Sequence, residues 1–157
     1  MRDAAAGCPT LPPITFFRPT LAFFEYLDAR WRGKPVIDVG AGTGHMTKLL
    51  RERGWDVLPI DPFERDGQEC HVMPIDAVGF DYPPQSLPIM ARPCHGIWVD
   101  YAIRKAMESV PVMLYVGLRK NFDTDLGGLD QDFDLSTEKF KAGQDGERVV
   151  TIRRKQK

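Results

Sequence analysis

Three glycines at alternate positions follow a short apolar run that contains one acidic residue. Residues 36–44 read Val-Ile-Asp-Val-Gly-Ala-Gly-Thr-Gly, so that Asp38 precedes Gly40, Gly42 and Gly44. Because glycine has no Cβ, the chain can turn sharply here and a ligand can approach the bare backbone. The helix expected after the turn presents unpaired N–H groups at its amino end. The segment therefore predicts a ligand-binding turn, with a spacing that differs from the G-x-G-x-x-G of dinucleotide sites.

A second group of reactive side chains follows the fourth expected strand, where the sequence is Arg92-Pro93-Cys94-His95-Gly96. His95 could act as a general base, because imidazole exchanges a proton near neutral pH. Arg92 could clamp a carboxylate or a phosphate group. The alternative is a structural segment, in which Pro93 ends the strand and Cys94 packs as a small apolar residue.

The composition is that of one small domain with balanced charge. The 157 residues carry 21 Lys and Arg against 22 Asp and Glu, so a global basic field that would attract nucleic acid is missing. Three cysteines at irregular positions do not make a disulfide framework, which favours a reduced, cytoplasmic setting. The amino terminus lacks the apolar core of a signal peptide, and no apolar run reaches the ~18–20 residues of a membrane span.

The periodicity of apolar residues divides the chain into alternating helices and strands. Residues 1–19 contain four prolines and are expected to form an arm, followed by one domain over residues 20–157. Thr20 is the expected N-cap of the first helix, and Gly33 its stop. Strands are expected over 35–39, 56–60, 70–75, 86–91 and 111–118. Two further helices are expected over 44–53 and 98–109, and a hairpin is expected with arms 133–140 and 148–153.

Alternating strands and helices with a closing hairpin predict an α/β fold, a doubly wound, mostly parallel sheet with one reversed strand. With Asp38 and the glycine turn of residues 40–44, the chain resembles the class I S-adenosylmethionine-dependent methyltransferases, from about residue 20 onward. The resemblance implies a three-layer, Rossmann-like sandwich with strand order 3-2-1-4-5 and a C-terminal antiparallel hairpin. Residues 62–70 are too few for a full crossover helix, so the helices after strands two and three are expected to be reduced.

The resemblance also implies S-adenosylmethionine as the cofactor. Carboxylates are expected at the carboxyl ends of the strands, where ligands of such sheets bind. By resemblance, Asp61 after strand two would hold the ribose and Asp76 after strand three the adenine amino group. Asp38 would orient the methionine end beside Gly40, Gly42 and Gly44. The alternatives are a turn-forming Asp-Pro at Asp61 and a solvated loop acid at Asp76.

The acceptor side departs from the family patterns. Methyltransferases that act on adenine or glutamine nitrogen carry Asn or Asp-Pro-Pro-Tyr or Phe after strand four, and this chain does not. Residues 81–84 hold the same residue types, permuted and ahead of the strand, and are interpreted as a loop. The loop after strand five could line the acceptor pocket through Arg119 or Asn121, or be a solvated connection. The pairs Cys70-His71 and Cys94-His95 lie far apart in the implied strand order, so no metal site is expected.

These observations favour a methyltransferase whose acceptor is a small molecule, with His95 and Arg92 as the catalytic candidates. The alternative from another class is a methyltransferase-like binding or scaffold module that binds S-adenosylmethionine without catalysis. A nicotinamide-dependent oxidoreductase fits the glycine spacing and the hairpin poorly. A nucleic acid acceptor stays open through local basic patches, no membrane association is expected, and the oligomeric state is left open.

Overall fold

The computed structural model describes residues 17–156, and its centre is one six-stranded sheet. The strand order is β2-β1-β3-β4-β6-β5. Strands β1 to β4 are parallel, and the last two are antiparallel, with β6 placed between β4 and β5. The strands are β1 (Val36–Val39), β2 (Val57–Ile60), β3 (Leu87–Ala91), β4 (Val112–Gly117), β5 (Phe133–Thr137) and β6 (Arg148–Arg154).

Within residues 17–156, four helices accompany the sheet. Helix α1 begins after Thr20, whose side-chain oxygen accepts a hydrogen bond from the Phe23 backbone N–H at 3.3 Å, as the N-cap prediction required. The helices are α1 (Leu21–Trp31), α2 (His45–Glu52), α3 (Trp98–Met107) and α4 (Phe122–Leu126), with single 3₁₀ turns at Arg119–Asn121 and Leu129–Gln131. The turns and α4 replace the loop that was expected after β4.

The core lies on both faces of the sheet, which makes three layers. Strand β4 shows this most clearly, since all of its residues are buried. Leu114 joins the cluster that α1 and α2 cover, whereas Met113 and Tyr115 join the cluster that α3 covers. A strand that is buried on both faces needs a continuous apolar run rather than an alternating one, and β4 has it. The doubly wound fold class is therefore confirmed.

The third predicted strand is wrong as an element. Of residues 70–75, only Met73 pairs with the sheet, through a single parallel bridge to Ile60. Its backbone N–H donates to Pro59 O and its carbonyl accepts from Asp61 N, both at 3.0 Å. The next N–H in line to reach β2, that of Ile75, instead turns back and donates to Met73 O at 2.8 Å, so the pairing does not continue. Met73 thus occupies the third-strand position of the implied order, and the described segment between β2 and β3 contains no helix.

The start of the described chain packs against the domain. Phe17 is buried and its ring meets that of Phe23 edge to face, with the centroids 5.3 Å apart. Pro19 forms a bridge with Gly143 of the hairpin turn. Residues 1–16 of the expected arm lie outside the described residues, so its boundary stays a prediction. No described helix is long and apolar enough to cross a membrane.

Candidate functional site

The glycine turn joins the end of β1 to the start of α2 at the carboxyl edge of the parallel strands. Gly40, Gly42 and Gly44 have φ values of +69°, +63° and +83°, in the left-handed region that other residues rarely adopt. A Cβ at Gly44 would overlap the Cys70 sulfur, and a Cβ at Gly40 would lie 3.4 Å from the Trp98 ring. The turn therefore requires glycine both for its backbone angles and for the close approach of its neighbours.

A cavity of about 270 Å³ opens at this edge. Its volume lies just below the roughly 300–1,000 Å³ that small-molecule sites occupy. It brings together three predicted site residues, Gly40, Asp61 and Asp76, whereas Asp38, Gly42 and Gly44 are not part of its wall. The wall is formed by Gly40, Asp61, Pro62, Phe63, Arg65, Asp76, Ala77, Val78, Pro93, Cys94 and Trp98.

Asp61 is held rigidly at the end of β2. Its Oδ2 accepts a hydrogen bond from the Gly42 backbone N–H at 3.0 Å, and its Oδ1 accepts one from Phe63 N–H at 2.9 Å. The Arg65 guanidinium lies 3.8 Å from Oδ2. A carboxylate has about four acceptor sites and can accept several hydrogen bonds at once, and this one lies on the cavity wall. That combination suits a ligand with two adjacent hydroxyl groups.

Asp38 lies in the core next to the turn. The side chain is buried, and the Thr47 hydroxyl of α2 donates to its Oδ2 at 2.6 Å. Burial and, to a smaller extent, the nearby charge of Asp61 raise the pKa of Asp38 to about 6, against the lowering effect of the Thr47 hydrogen bond. Because Asp38 is not on the cavity wall, it can act on a ligand only through the turn or through water.

Asp76, another residue of the wall, begins a tight turn. The carboxylate is exposed, and its Oδ1 accepts a hydrogen bond from Val78 N–H at 3.0 Å. The buried Tyr82 donates its hydroxyl proton to Ala77 O at 2.9 Å and so anchors the turn. Residues 81–84 form a loop, as expected, and Tyr82 has this structural role within it.

His95 has buried partners that the sequence did not predict. Its Nδ1 lies 2.9 Å from Oδ1 of Asp125 in α4, and the Tyr115 hydroxyl of β4 donates to Oδ2 of the same carboxylate at 2.5 Å. The backbone turn before α3 is fixed by Trp98, whose Nε1 donates to Cys94 O at 2.7 Å. His95 is not on the cavity wall, but it directly follows the wall residue Cys94.

Arg92 forms ion pairs with the C-terminal hairpin. Its Nη1 lies 3.1 Å from Oε2 of the buried Glu147 and 3.3 Å from Oδ2 of Asp145. Its backbone φ is +48°, the one positive value of a non-glycine residue among residues 17–156. Arg92 is not part of the cavity wall. That Arg92 binds an acceptor stays a prediction. In the structure its guanidinium is paired with Glu147 and Asp145, and these carboxylates would compete with an acceptor.

Sequence reasoning missed several residues of the site. Phe63 and Trp98 line the cavity, but a single aromatic residue in a loop or at a helix start carries no motif. The signal that could have found them is their place shortly after Asp61-Pro62 and Arg92–Gly96, which follow the carboxyl ends of β2 and β3. Asp125 was hidden in the segment interpreted as a loop. Within residues 17–156, no three His, Cys, Asp or Glu side chains are grouped as metal ligands.

Comparisons with known proteins agree with this geometry. The family model described as "Methyltransferase domain" matches residues 16–116, which span the region from α1 to β4. No match was found among curated proteins.

Three of the similar solved structures are named as methyltransferases, and two of these names give different acceptors. A TehB-like S-adenosylmethionine-dependent methyltransferase from Corynebacterium glutamicum is 17% identical, with a TM-score of 0.60 over 98% of this chain and 93% of that one. The 1,6-didemethyltoxoflavin-N1-methyltransferase of Burkholderia thailandensis, solved with S-adenosylhomocysteine, is 18% identical, with a TM-score of 0.54 over 87% and 78%. A 23S rRNA methyltransferase is 16% identical, with a TM-score of 0.57 over 89% and 70%. At these identities the likeness shows the fold.

Proposed function

This chain belongs to the methyltransferase domain family, and from that premise we propose that it uses S-adenosylmethionine to methylate a small molecule. The observation that carries the proposal is the carboxylate of Asp61, which is fixed by the glycine turn and by Phe63 N–H at the wall of the cavity. The bound S-adenosylhomocysteine of one structural neighbour supports the choice of cofactor.

The wall residues fit the parts of this cofactor. Asp61 would accept hydrogen bonds from the two ribose hydroxyls, and Asp76 would accept one from the adenine amino group. Phe63 would offer a half-buried aromatic face to the adenine ring. The methionine end would then meet the backbone at Gly40, where a side chain would reach Trp98. When bound, S-adenosylmethionine supplies a methyl group on a sulfonium sulfur, which keeps the electron pair when the methyl group leaves.

The surroundings of His95 support a small apolar acceptor. Ile97 and Tyr101 are 73% and 54% exposed and lie four residues apart at the start of α3, so they share a helix face. Ile97 directly precedes the wall residue Trp98, and neighbouring exposed apolar side chains can form an interaction site. His95 precedes this pair by two residues and would take a proton from the acceptor. The local arrangement of Ile97 and Tyr101 suits an apolar molecule better than a phosphate backbone.

Calorimetric titration with S-adenosylmethionine and S-adenosylhomocysteine tests the cofactor, with NADH as the control ligand. We expect both to bind and NADH not to bind. Asp61→Ala should weaken binding at least about 100-fold, because two hydrogen bonds to a charged group contribute about 1.5–3 kcal/mol each. Gly42→Val should also abolish binding, since valine does not tolerate a φ of +63°.

The matched control is Asp134→Ala, which removes an exposed carboxylate from β5 at the far edge of the sheet. It should leave the affinity unchanged, and circular dichroism should show that every variant is folded. Full affinity in folded Asp61→Ala would contradict the ribose assignment. Binding of NADH instead of S-adenosylmethionine would overturn the proposed cofactor. Binding without methyl transfer to any acceptor would favour the non-catalytic module.

A further inference from the structure

His95, Asp125 and Tyr115 form a hydrogen-bonded series that runs from the surface into the core beside the cavity. The imidazole of His95 is 46% exposed, whereas the side chains of Asp125 and Tyr115 are buried. Asp125 lies between the other two and contacts both. His95 directly follows the wall residue Cys94, about 3.8 Å away along the chain, so the backbone that carries the exposed end of the series adjoins the cavity wall.

The inner end of the series fixes the carboxylate of Asp125. Burial, and then the hydrogen bond to Asp125, raise the pKa of Tyr115 well above its usual range, so the phenol keeps its proton and remains a donor. The rings of Tyr115 and Phe122 also pack edge to face, with centroids 5.9 Å apart. These two contacts fasten α4 to β4. The orientation of the carboxylate toward His95 is therefore set by the sheet and not by a free loop.

The carboxylate determines which nitrogen of His95 carries the proton. A carboxylate only accepts hydrogen bonds, so the neutral imidazole must place its N–H at Nδ1, toward Asp125. The lone pair is then left on Nε2. An imidazole whose Nδ1 is held in this way has one nitrogen available as a base, and its ring orientation is fixed by the same contact.

We propose that Asp125 is a positioning residue that holds His95 in the Nδ1–H form, so that Nε2 takes a proton from the acceptor. The inference rests on the proposed function. In this step the O–H or N–H bond of the acceptor breaks, its electron pair stays on the acceptor atom, and the proton bonds to Nε2 of His95. The acceptor therefore belongs to the class whose nucleophilic atom carries a proton, such as a hydroxyl or an amino group.

The tautomer of His95 can be read directly from the nitrogen chemical shifts of the imidazole rings. The probe is the full-length ¹⁵N-labelled protein without added ligand, at a pH where imidazoles are neutral. We expect a protonated Nδ1 and an unprotonated Nε2 for His95. In Asp125→Asn the major form should become Nε2–H, because the asparagine amide can donate to Nδ1. In serine proteases the same kind of substitution leaves the geometry intact but places the proton on the wrong nitrogen.

His45 provides the matched control, because its Nδ1 lies 2.8 Å from Oε2 of Glu69. Its signals should stay unchanged in Asp125→Asn and should change in Glu69→Gln, which leaves His95 unaffected. An Nε2–H form of His95 in the native protein would overturn the proposal, whether or not any variant folds. Unchanged His95 signals in folded Asp125→Asn would also overturn it. If the expected tautomer is found but S-adenosylmethionine does not bind, the proposed function fails and the positioning contact remains.

Discussion

At the scale of single residues, Asp38 is the group whose environment conflicts most with its charge. It is buried beside the glycine turn, and burial raises its pKa from 3.8 to about 6. The Thr47 hydroxyl offsets part of this effect by donating to Oδ2. An ionisable residue kept in the core at a cost in stability is typical of functional sites. The cost is consistent with the predicted role of Asp38 at the methionine end of a cofactor, which stays a prediction.

Asp38→Asn should stabilise the protein at neutral pH. Between about pH 4 and pH 6 the native state binds more protons than the unfolded state, so stability falls as the pH rises through this window. Asparagine does not titrate, and its side-chain oxygen can still accept from Thr47. The free energy of unfolding of the variant should match that of the native protein below pH 4 and exceed it by up to about 3 kcal/mol at pH 7.

Urea denaturation at several pH values measures this difference. Asp134→Asn, which changes an exposed carboxylate, should show no such trend. A constant difference between pH 4 and pH 7 would mean that ionised Asp38 does not destabilise the fold. Calorimetry on the same variant should show weaker binding of S-adenosylmethionine, which would make Asp38 a site at which function lowers stability.

At the scale of elements, Gly42 and Gly44 of the turn must be glycine for different reasons. Gly42 needs only its backbone angles, since a Cβ there would meet no atom within 4 Å. Gly44 needs both its angles and the space of a hydrogen atom, because a Cβ would overlap the Cys70 sulfur. The segment that bridges β2 through Met73 thus rests directly on the turn.

Gly44→Ala should destabilise the protein more than Gly42→Ala. Both variants should lose about 1–2 kcal/mol for the left-handed backbone, and Gly44→Ala should lose a further 1–3 kcal/mol, roughly, for the overlap. Cys70→Ala should restore most of this excess in the double variant, with the Val72 methyl group, 3.3 Å from the added Cβ, limiting the recovery. The measurement is thermal or urea unfolding of the native protein, the two single glycine variants and the Gly44→Ala/Cys70→Ala double variant. If the two single variants lost the same free energy of unfolding, the segment that contains Cys70 would have moved to make room for the added Cβ.

The elements differ in how well the sequence predicts them, and the reason is local. Strand β4 and helix α3 were predicted within two residues because each carries a continuous apolar run or an apolar face of its own. Residues 70–75 also look like a strand, but pairing ends at Met73 because the Ile75 N–H turns back to Met73 O instead of reaching β2. Helix α4 has only five residues, and Asp125 within it is buried by contacts to Tyr115 and His95 that no local pattern reveals.

At the scale of the whole molecule, the cavity was predictable in part because topology creates it. Asp61 and Asp76 follow segments that pair in parallel, so they meet at one edge wherever the fold is doubly wound. The partners of His95 and Arg92 could not be predicted in this way. Glu147 reaches Arg92 only because β6 inserts next to β4 and brings the hairpin turn to the end of β3. Contacts between residues so distant in sequence depend on the finished fold.

A chain of alternating charges joins three distant parts of the molecule. Arg18, Asp145, Arg92 and Glu147 follow one another at 3.0, 3.3 and 3.1 Å. They connect the start of the described chain, the hairpin turn and the end of β3. The exposed Arg18–Asp145 pair contributes little to stability. Glu147 is buried, so its partner Arg92 determines whether an unpaired charge is left in the core.

Arg92→Met should therefore destabilise the whole domain by about 3–5 kcal/mol, because it leaves the buried carboxylate of Glu147 without its cation. Arg92→Met combined with Glu147→Gln should recover most of that loss, since glutamine can still accept from Asp145 N–H, as Glu147 Oε1 does at 3.0 Å. A double-mutant cycle from urea unfolding measures the coupling. Affinity for S-adenosylmethionine should be unchanged in the double variant, because neither side chain lines the cavity. If the single and double variants lost the same stability, the ion pair would not be structural, and Arg92 would remain a candidate to clamp the acceptor.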